Sequence, residues 1–393
     1  MLKNKTNLKI VRPYLFSFFV TLILVLFSCS KTEKFDGYVT TAGTGTDELK
    51  IAVVKGTPYE MGHQLGVLLK DDIDSCLSGF LSYAQKEAPE IYSNEQLDMA
   101  WETNLPHIDS RVVEEMKGMA DGSGIDLKLI QRSHMIPVIS SYACSGVAVW
   151  GKNTENGHTY QIRNLDFTMG AGLQDHPLVV IYVPDNGSPH ANVTFAGYIG
   201  SHTGMNANHL VFGEKGQSPM SEYPYNINGV HFSFLFRTLM YDAGSLDDVL
   251  NTIRNTTLIK RYFLFFSDGN QETQGGAKVL VSSPDAVKYT IWKDNDPGDI
   301  VAPDILPNTI YYTMDNRTAY YLLNQYQGQF DEQKMIEISR AVADKGGNLL
   351  DVVYDATALE MWIAYANGSE DASGQQYVHV PMNDYITKAG IKY

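Results

Sequence analysis

Residues 144–166 constrain the fold of this chain more than any other stretch. They read Cys144-Ser-Gly-Val-Ala-Val-Trp-Gly, then the turn dipeptide Asn156-Gly157, then His158-Thr-Tyr-Gln-Ile-Arg163-Asn-Leu-Asp166. Two alternating runs about a turn predict a β-hairpin. Before Cys144 the texture is different. Ile51 to Val54 is a short β-branched run, Gly56-Thr57-Pro58 is a turn, and from Tyr59 apolar residues fall at helical intervals through Tyr83. Helical character continues to about Ile130, with Gly122 and Gly124 as stops after a Val112 to Ala120 helix. After the hairpin, strands are expected near Leu178–Val183, Asn192–Tyr198, His209–Phe212, Lys278–Ser282, Val287–Trp292, Thr309–Tyr312 and Glu360–Tyr365. Helices are expected at Phe232–Tyr241, Leu246–Arg254, Thr318–Gln325 and Asp331–Ala343. The pattern is that of one mixed α+β domain with large antiparallel sheets.

The first 28 residues read as an address, not as part of that fold. Lys3, Lys5, Lys9 and Arg12 form a basic segment, and Tyr14 to Phe27 an apolar one that is short for a membrane span. Leu26-Phe27-Ser28-Cys29 resembles the lipobox of bacterial lipoproteins, which implies cleavage before Cys29, its lipidation, and a place in the bacterial cell envelope. Residues 29–48, rich in Thr, Gly and Lys, read as a flexible tether. The formal charge of −15 becomes about −19 once the four positive charges of the signal are removed, which argues against nucleic acid and against a polybasic membrane patch as partners. Cys76 and Cys144 remain after Cys29, and an exported protein could join them. Against pairing, Cys76 lies in a helix-like stretch and Cys144 at the start of a strand-like one.

No CxxC pair, HExxH, GxSxG or Walker loop is present, so zinc protease, serine hydrolase and nucleotide-binding readings lack motif support. Asp294-Asn-Asp296-Pro-Gly298-Asp299 is out of register for a calcium loop and reads as a solvated acidic turn. Cys144 is the candidate nucleophile. A thiol needs a nearby cation to ionise at neutral pH, and the hairpin can bring Arg163 and Asp166 alongside. On spacing alone an alternative stands: a buried small Cys144 and a surface Arg163–Asp166 ion pair.

The segment from Cys144 to Gly151, with Arg163-Asn164-Leu165-Asp166, resembles the signature of the cysteine N-terminal-nucleophile hydrolases. That group includes penicillin V acylases, bile-salt hydrolases, acid ceramidases and isopenicillin N acyltransferases. Gly56-Thr-Pro-Tyr-Glu60-Met-Gly62-His-Gln-Leu-Gly66 and Glu115-Met-Lys-Gly118-Met-Ala-Asp-Gly122-Ser-Gly124 resemble the pro-region of its acyltransferase branch, and Gly204-Met205-Asn206 its Gly-Met-Asn turn. Leu349 to Tyr377 resembles its closing strand and tail, so the resemblance covers residues 50–385.

The resemblance implies a four-layer αββα sandwich, cleavage between Ala143 and Cys144, a helical pro-region over 49–143 and a catalytic chain over 144–393. The freed α-amine of Cys144 would serve as base for its own thiol. Asp166 would hold that amine, Arg163 would steady the thiolate, and Asn206 would lend a backbone N–H to the oxyanion, with Asn316 as side-chain donor. The implied substrate is a small N-acyl amide, processed by hydrolysis or acyl transfer without cofactor or metal. A noncatalytic envelope binding protein of the same fold and a papain-like cysteine protease are the alternatives; the second requires a histidine base for Cys144. The aromatic-rich stretch Tyr223–Phe266 is a candidate acyl pocket, although such density more often marks core.

Overall fold

Proline at the first helical position and a capping box begin the ordered helices: Thr57 accepts from the Glu60 backbone while the Glu60 carboxylate reaches back to the Thr57 N–H. The computed structural model describes residues 37–390 except 46–47, 217, 283–288, 295 and 303. The expected signal peptide and Cys29 lie outside the described residues. In chain order the elements are β1 (Tyr38–Ala42), β2 (Leu49–Gly56), α1 (Pro58–Leu68), α2 (Lys70–Glu87), α3 (Asn94–Asn104), α4 (Ser110–Ser123), α5 (Leu127–Ile139), β3 (Ala143–Val149), β4 (Tyr160–Asp166), β5 (Pro177–Pro184), β6 (His190–Phe195), β7 (Gly204–Asn206) and β8 (Leu210–Gly216). They continue as α6 (Phe232–Asp242), α7 (Leu246–Arg254), β9 (Tyr262–Asp268), β10 (Gly275–Val281), β11 (Tyr289–Lys293), β12 (Thr309–Tyr312), α8 (Asn316–Gln325), α9 (Glu332–Val342), β13 (Asn348–Asp355), β14 (Glu360–Tyr365), β15 (Val378–Pro381) and α10 (Met382–Lys388). None of the described helices is long and apolar enough to cross a membrane.

The strands form two sheets, of order β1-β2-β5-β6-β7-β8-β9-β10-β11 and β12-β3-β4-β13-β14-β15. They face each other through β3 and β4 against β8 and β9. Helices α1, α6 and α7 cover the outer face of the larger sheet and α8 and α9 that of the smaller, while α10 touches β5 of the larger sheet and β14 of the smaller. This is the expected four-layer αββα sandwich. One pairing departs from the all-antiparallel expectation: β2 runs parallel to β5. Because both faces of each sheet are covered, inner strands lose the polar alternation that marks a half-exposed strand. Every residue of β9, Tyr-Phe-Leu-Phe-Phe-Ser-Asp, is buried, so that stretch resembles a core helix as much as a strand.

Two further differences from the sequence reading have local causes. The single apolar helix expected over 59–83 breaks at Leu69, whose φ of −126° lies outside the helical region, giving α1 and α2. Tyr38–Ala42, expected within the flexible tether, is instead an edge strand in register with Leu49–Val53. Its backbone hydrogen bonds, not its composition, decide its state.

The paired glycine motifs have a packing explanation. A Cβ on Gly62 would lie 2.0 Å from the Glu115 carbonyl oxygen, and one on Gly118 would lie 2.0 Å from that of Tyr59. Gly66 and Gly122 repeat the contact one turn on, so α1 and α4 cross backbone to backbone. From α4, Glu115 meets Arg237 of α6 at 2.6 Å with both side chains fully buried. The ion pair and the β2–β5 pairing tie the part of the chain before Cys144 to the part after it. Replacing Gly62 by alanine forces these backbones apart, and urea denaturation should show a loss of about 3 kcal/mol; an unchanged midpoint would show that the crossing has room to relax.

Candidate active site

Cys144 is the second residue of β3, where that strand enters the interface between the sheets, and its side chain is fully buried. It stands opposite Leu165 of β4, with Gly146 opposite Arg163 and Ala143 opposite Asp166. Successive strand residues alternate between faces. Arg163 and Cys144 therefore share the inner face, whereas Asp166 turns to the other. The hairpin thus does not set both charges beside the thiol, because 163 and 166 differ by an odd number.

Arg163 Nη2 donates to Cys144 Sγ at 3.1 Å and to Glu214 Oε2 at 3.3 Å. The thiol donates to the same Glu214 oxygen at 3.7 Å. Cys144, Arg163 and Glu214 form a closed triangle with no solvent exposure. The facing strand makes room for it with glycines. A Cβ on Gly213 would lie 3.3 Å from Arg163 Cγ, and one on Gly216 would lie 2.3 Å from the Tyr142 carbonyl oxygen. Burial pushes the Cys144 thiol far above its usual range; Arg163 opposes this, and Glu214 and Asp166 add to it. In the uncut chain the group is a neutral thiol. Burial also pushes Glu214 up to about 7 against the pull of Arg163, leaving a carboxylate able to exchange a proton near neutrality.

On the outer face, Asp166 Oδ1 accepts from the backbone N–H of Asp344 at 3.3 Å and from Asn348 Nδ2 at 3.2 Å. Its Oδ2 is buried without a hydrogen-bond partner among the described residues. Burial raises Asp166 to about 6. Its register across from Ala143 sets it beside the Ala143–Cys144 peptide bond.

Asn206 is not brought to this site. Asn206 Nδ2 donates to the Ala243 carbonyl at 2.9 Å, and its Oδ1 takes the N–H of Leu210 at 3.2 Å. Leu210 and Glu214 lie at opposite ends of most of β8, roughly 13 Å apart at strand rise, so the Asn206 N–H is too distant to serve an oxyanion formed at Cys144. Asn316 opens α8 and spends its Oδ1 on the Thr313 N–H at 2.8 Å. Asn206 fastens its own turn; the Oδ1 of Asn316 does the same, and that turn lies against the residue after Cys144, since the Met314 N–H donates to Ser145 Oγ at 2.9 Å.

Glu214 and Asn348 escaped sequence reasoning. The signal for Glu214 was a charged Glu-Lys pair between Gly213 and Gly216 inside an apolar run, which implies a buried and therefore paired charge. Cys76 and Cys144 are both free. Among the described residues no three His, Cys, Asp or Glu side chains group as a metal site.

An apolar pocket, about 510 Å³ with its mouth included, reaches Tyr142, two residues before Cys144, and Leu165, opposite Cys144 on β4. Cys76, Leu77, Phe80, Pro137, Ser140 and Tyr142 come to it from before Cys144, and Leu165, Phe167, Leu173, Phe195, Tyr198 and His202 from after. A shallower groove carrying Tyr83, Glu87 and Tyr92 shares Phe80, Ser140 and Phe167 with it. The aromatic residues of 223–266 lie elsewhere: Phe232, Phe234, Phe236 and Phe266 are core. His202 lines the pocket and is held neutral by burial and by Arg163. His209 bonds the Ala356 carbonyl at 2.9 Å.

A cysteine heading an inner strand of an αββα sandwich defines the class, the N-terminal-nucleophile hydrolase fold. No family model matches the chain. It is 30% identical over 395 residues to protein dcd1A of Dictyostelium discoideum, covering 86% of each, and it belongs to the family of that protein. Protein dcd1B of the same organism is 25% identical over 298 residues, covering 70% of this chain, which spans only 58% of the length of dcd1B. Similar solved structures include a Caenorhabditis elegans N-acylethanolamine-hydrolyzing acid amidase ortholog (17% identity, TM-score 0.42, covering 61% of this chain and 100% of that one). Another is penicillin V acylase from Agrobacterium tumefaciens (14% identity, TM-score 0.38, covering 57% and 83%).

Glu214 also couples the site to stability. A carboxyl whose folded pKa exceeds its unfolded value of 4.5 gives stability that is fully present below that value and is lost as pH rises through about 7. In an uncut Cys144→Ala background, Glu214→Gln should remove on the order of 3 kcal/mol from the fall in stability between those pH values, read by urea titration. An identical slope in both chains would place Glu214 at an ordinary pKa.

Proposed function

We propose that the chain cleaves itself between Ala143 and Cys144 and then acts as a cysteine amidohydrolase on linear N-acyl amides. The observation that carries this reading is the thiol held by both Arg163 and Glu214, with the Asp166 oxygen that has no partner among the described residues across from the Ala143–Cys144 bond. In the first step Glu214 takes the thiol proton as Sγ bonds to the Ala143 carbonyl carbon. The C–N bond then breaks, the nitrogen takes a proton to become the Cys144 amine, and water releases Ala143 as a carboxylate and restores the thiol. The new amine, of a kind that ordinarily titrates at about 7.7–8.0, carries its positive charge against Asp166 when protonated.

In turnover the neutral amine accepts the thiol proton, and sulfur attacks the substrate carbonyl. The leaving amine departs protonated, and water or a second amine resolves the acyl-thioester. Arg163 Nε and Nη1, buried without partners among the described residues, supply donors for developing negative charge. The apolar pocket favours an aliphatic or aromatic acyl group, as in N-acyl amines or N-acyl amino acids. The hydrogen bonds at Cys144 Sγ run to Arg163 and Glu214, whereas the papain-like alternative requires a histidine there.

In the same reading the chain is anchored to the cell envelope through lipid on Cys29. Intact mass of protein extracted from membranes should show two fragments breaking before Cys144, the first beginning at a lipidated Cys29. Arg163→Ala should slow the break by about 10²-fold or more, and Cys144→Ala should abolish it; a single uncut chain from the unaltered protein would instead support a binding protein of the same fold. In the mature enzyme, Leu77→Trp should narrow the pocket and lower kcat/KM for long-chain N-acyl amides about tenfold more than for N-acetyl ones. Equal losses for both would place the acyl group elsewhere.

A further inference from the structure

Behind Asp166, on the outer face of the smaller sheet, a fully buried carboxyl enters none of the steps above. Asp351 of β13 lies beside Asn164 of β4, and one amide, Asn348 Nδ2, donates to both Asp166 Oδ1 at 3.2 Å and Asp351 Oδ1 at 2.7 Å. The other oxygen, Asp351 Oδ2, is 2.8 Å from the Tyr377 hydroxyl, which is 3.1 Å from Ser339 Oγ, itself 2.8 Å from Asn164 Oδ1.

The protons of this chain of contacts can be assigned because backbone groups fix both ends. Asn164 Nδ2 donates to the Ser339 carbonyl at 2.8 Å, so its Oδ1 is what faces Ser339 Oγ, and the Ser339 proton is spent there. The contact between Tyr377 and Ser339 then requires the Tyr377 proton. Donation by Tyr377 to both Ser339 Oγ and Asp351 Oδ2 would need two protons from one hydroxyl, and a proton on Asp351 Oδ2 satisfies both contacts. At the far end, Asn348 Oδ1 accepts the Ser373 N–H at 2.7 Å, so only its NH₂ can face the two carboxyls. An ionised Asp351 would take the Tyr377 proton and leave two oxygens 3.1 Å apart with none between them. Asp166, by contrast, receives only N–H donors on Oδ1 and needs no proton.

We propose that Asp351 is a positioning residue, protonated in the working protein, that confines the negative charge of the buried Asp166–Asn348–Asp351 group to Asp166, where it serves the Cys144 nitrogen. The inference rests on the proposed role of Asp166. Burial raises Asp351 to about 7 and Asp166 to about 6. The other charged or titratable groups around Asp351 are Lys345, whose charge lowers it; Arg340 of α9, stacked 5.2 Å over the Tyr377 ring; Tyr377 itself; Asp344, beside Asp166; and Asp371, which accepts the Asn348 backbone N–H at 3.2 Å. Above the Asp351 pKa a second negative charge appears one amide from Asp166 and opposes the first.

Two measurements separate this inference from the reading it rests on. In the uncut Cys144→Ala chain at about pH 6, the infrared carbonyl band of a buried protonated carboxylic acid should be present and should weaken in Asp351→Asn; a band unchanged by the substitution would overturn the assignment whether or not the protein is an enzyme. Asparagine offers the same acceptor and donor as the neutral acid. In chains with Cys144 intact, Asp351→Asn should therefore move the alkaline fall of the self-cleavage rate upward by about one pH unit or more, while Asp351→Ala lowers the rate by about tenfold or more at every pH. An alkaline limb unmoved by Asp351→Asn, or equal losses in the two variants, would reduce Asp351 to a packing residue. An unaltered chain that never cuts would refute the role of Asp166 and, with it, the positioning role of Asp351, leaving the infrared band to decide the proton alone.

Discussion

The buried guanidinium of Arg163 is the interaction on which the rest of this structure depends. A charge in the interface between two sheets costs several kcal/mol unless it is paired. Glu214 from the opposite sheet provides the pairing, at 3.3 Å with no exposure on either side. The same guanidinium nitrogen holds the Cys144 thiol, so sheet association and thiol placement share one set of contacts. Gly213 and Gly216 of β8 let the two sheets close over it.

This arrangement divides the polar groups between two faces of β3 and β4. The inner face carries the thiol, Arg163, Glu214 and the apolar pocket; the outer face carries Asp166, Asn348 and Asp351. The peptide bond between Ala143 and Cys144 lies at the edge where the faces meet. A nucleophile whose own backbone nitrogen becomes the base suits this geometry, because its sulfur and nitrogen are served from opposite sides.

The part of the chain before Cys144 is built into the sandwich and does not merely cover it. It contributes β1 and β2 to the larger sheet, Glu115 to a fully buried ion pair, and half of the pocket lining. Breaking one partner of such a pair costs about 3–5 kcal/mol, so a cut before Cys144 would leave two pieces with strong reason to stay together.

Residue order alone determined the hairpin, the helical texture before Cys144, and the candidacy of Cys144 and Arg163. These depend on local periodicity, turn residues and the chemistry of single side chains, all carried by neighbours in sequence. The break at Leu69, the pairing of Tyr38–Ala42 and the wholly buried β9 depend on what lies across from each segment, which periodicity does not contain. Asn206 misled because an asparagine in a turn looks the same whether it fastens backbone or faces a substrate. Tertiary structure alone decided that Glu214, 51 residues beyond Arg163, closes on it, and that Asn348 and Asp351 stand behind Asp166. The physical reason is that a buried charge takes its partner from whichever strand the fold lays against it, and strand order across two sheets is set by the packing of the whole chain.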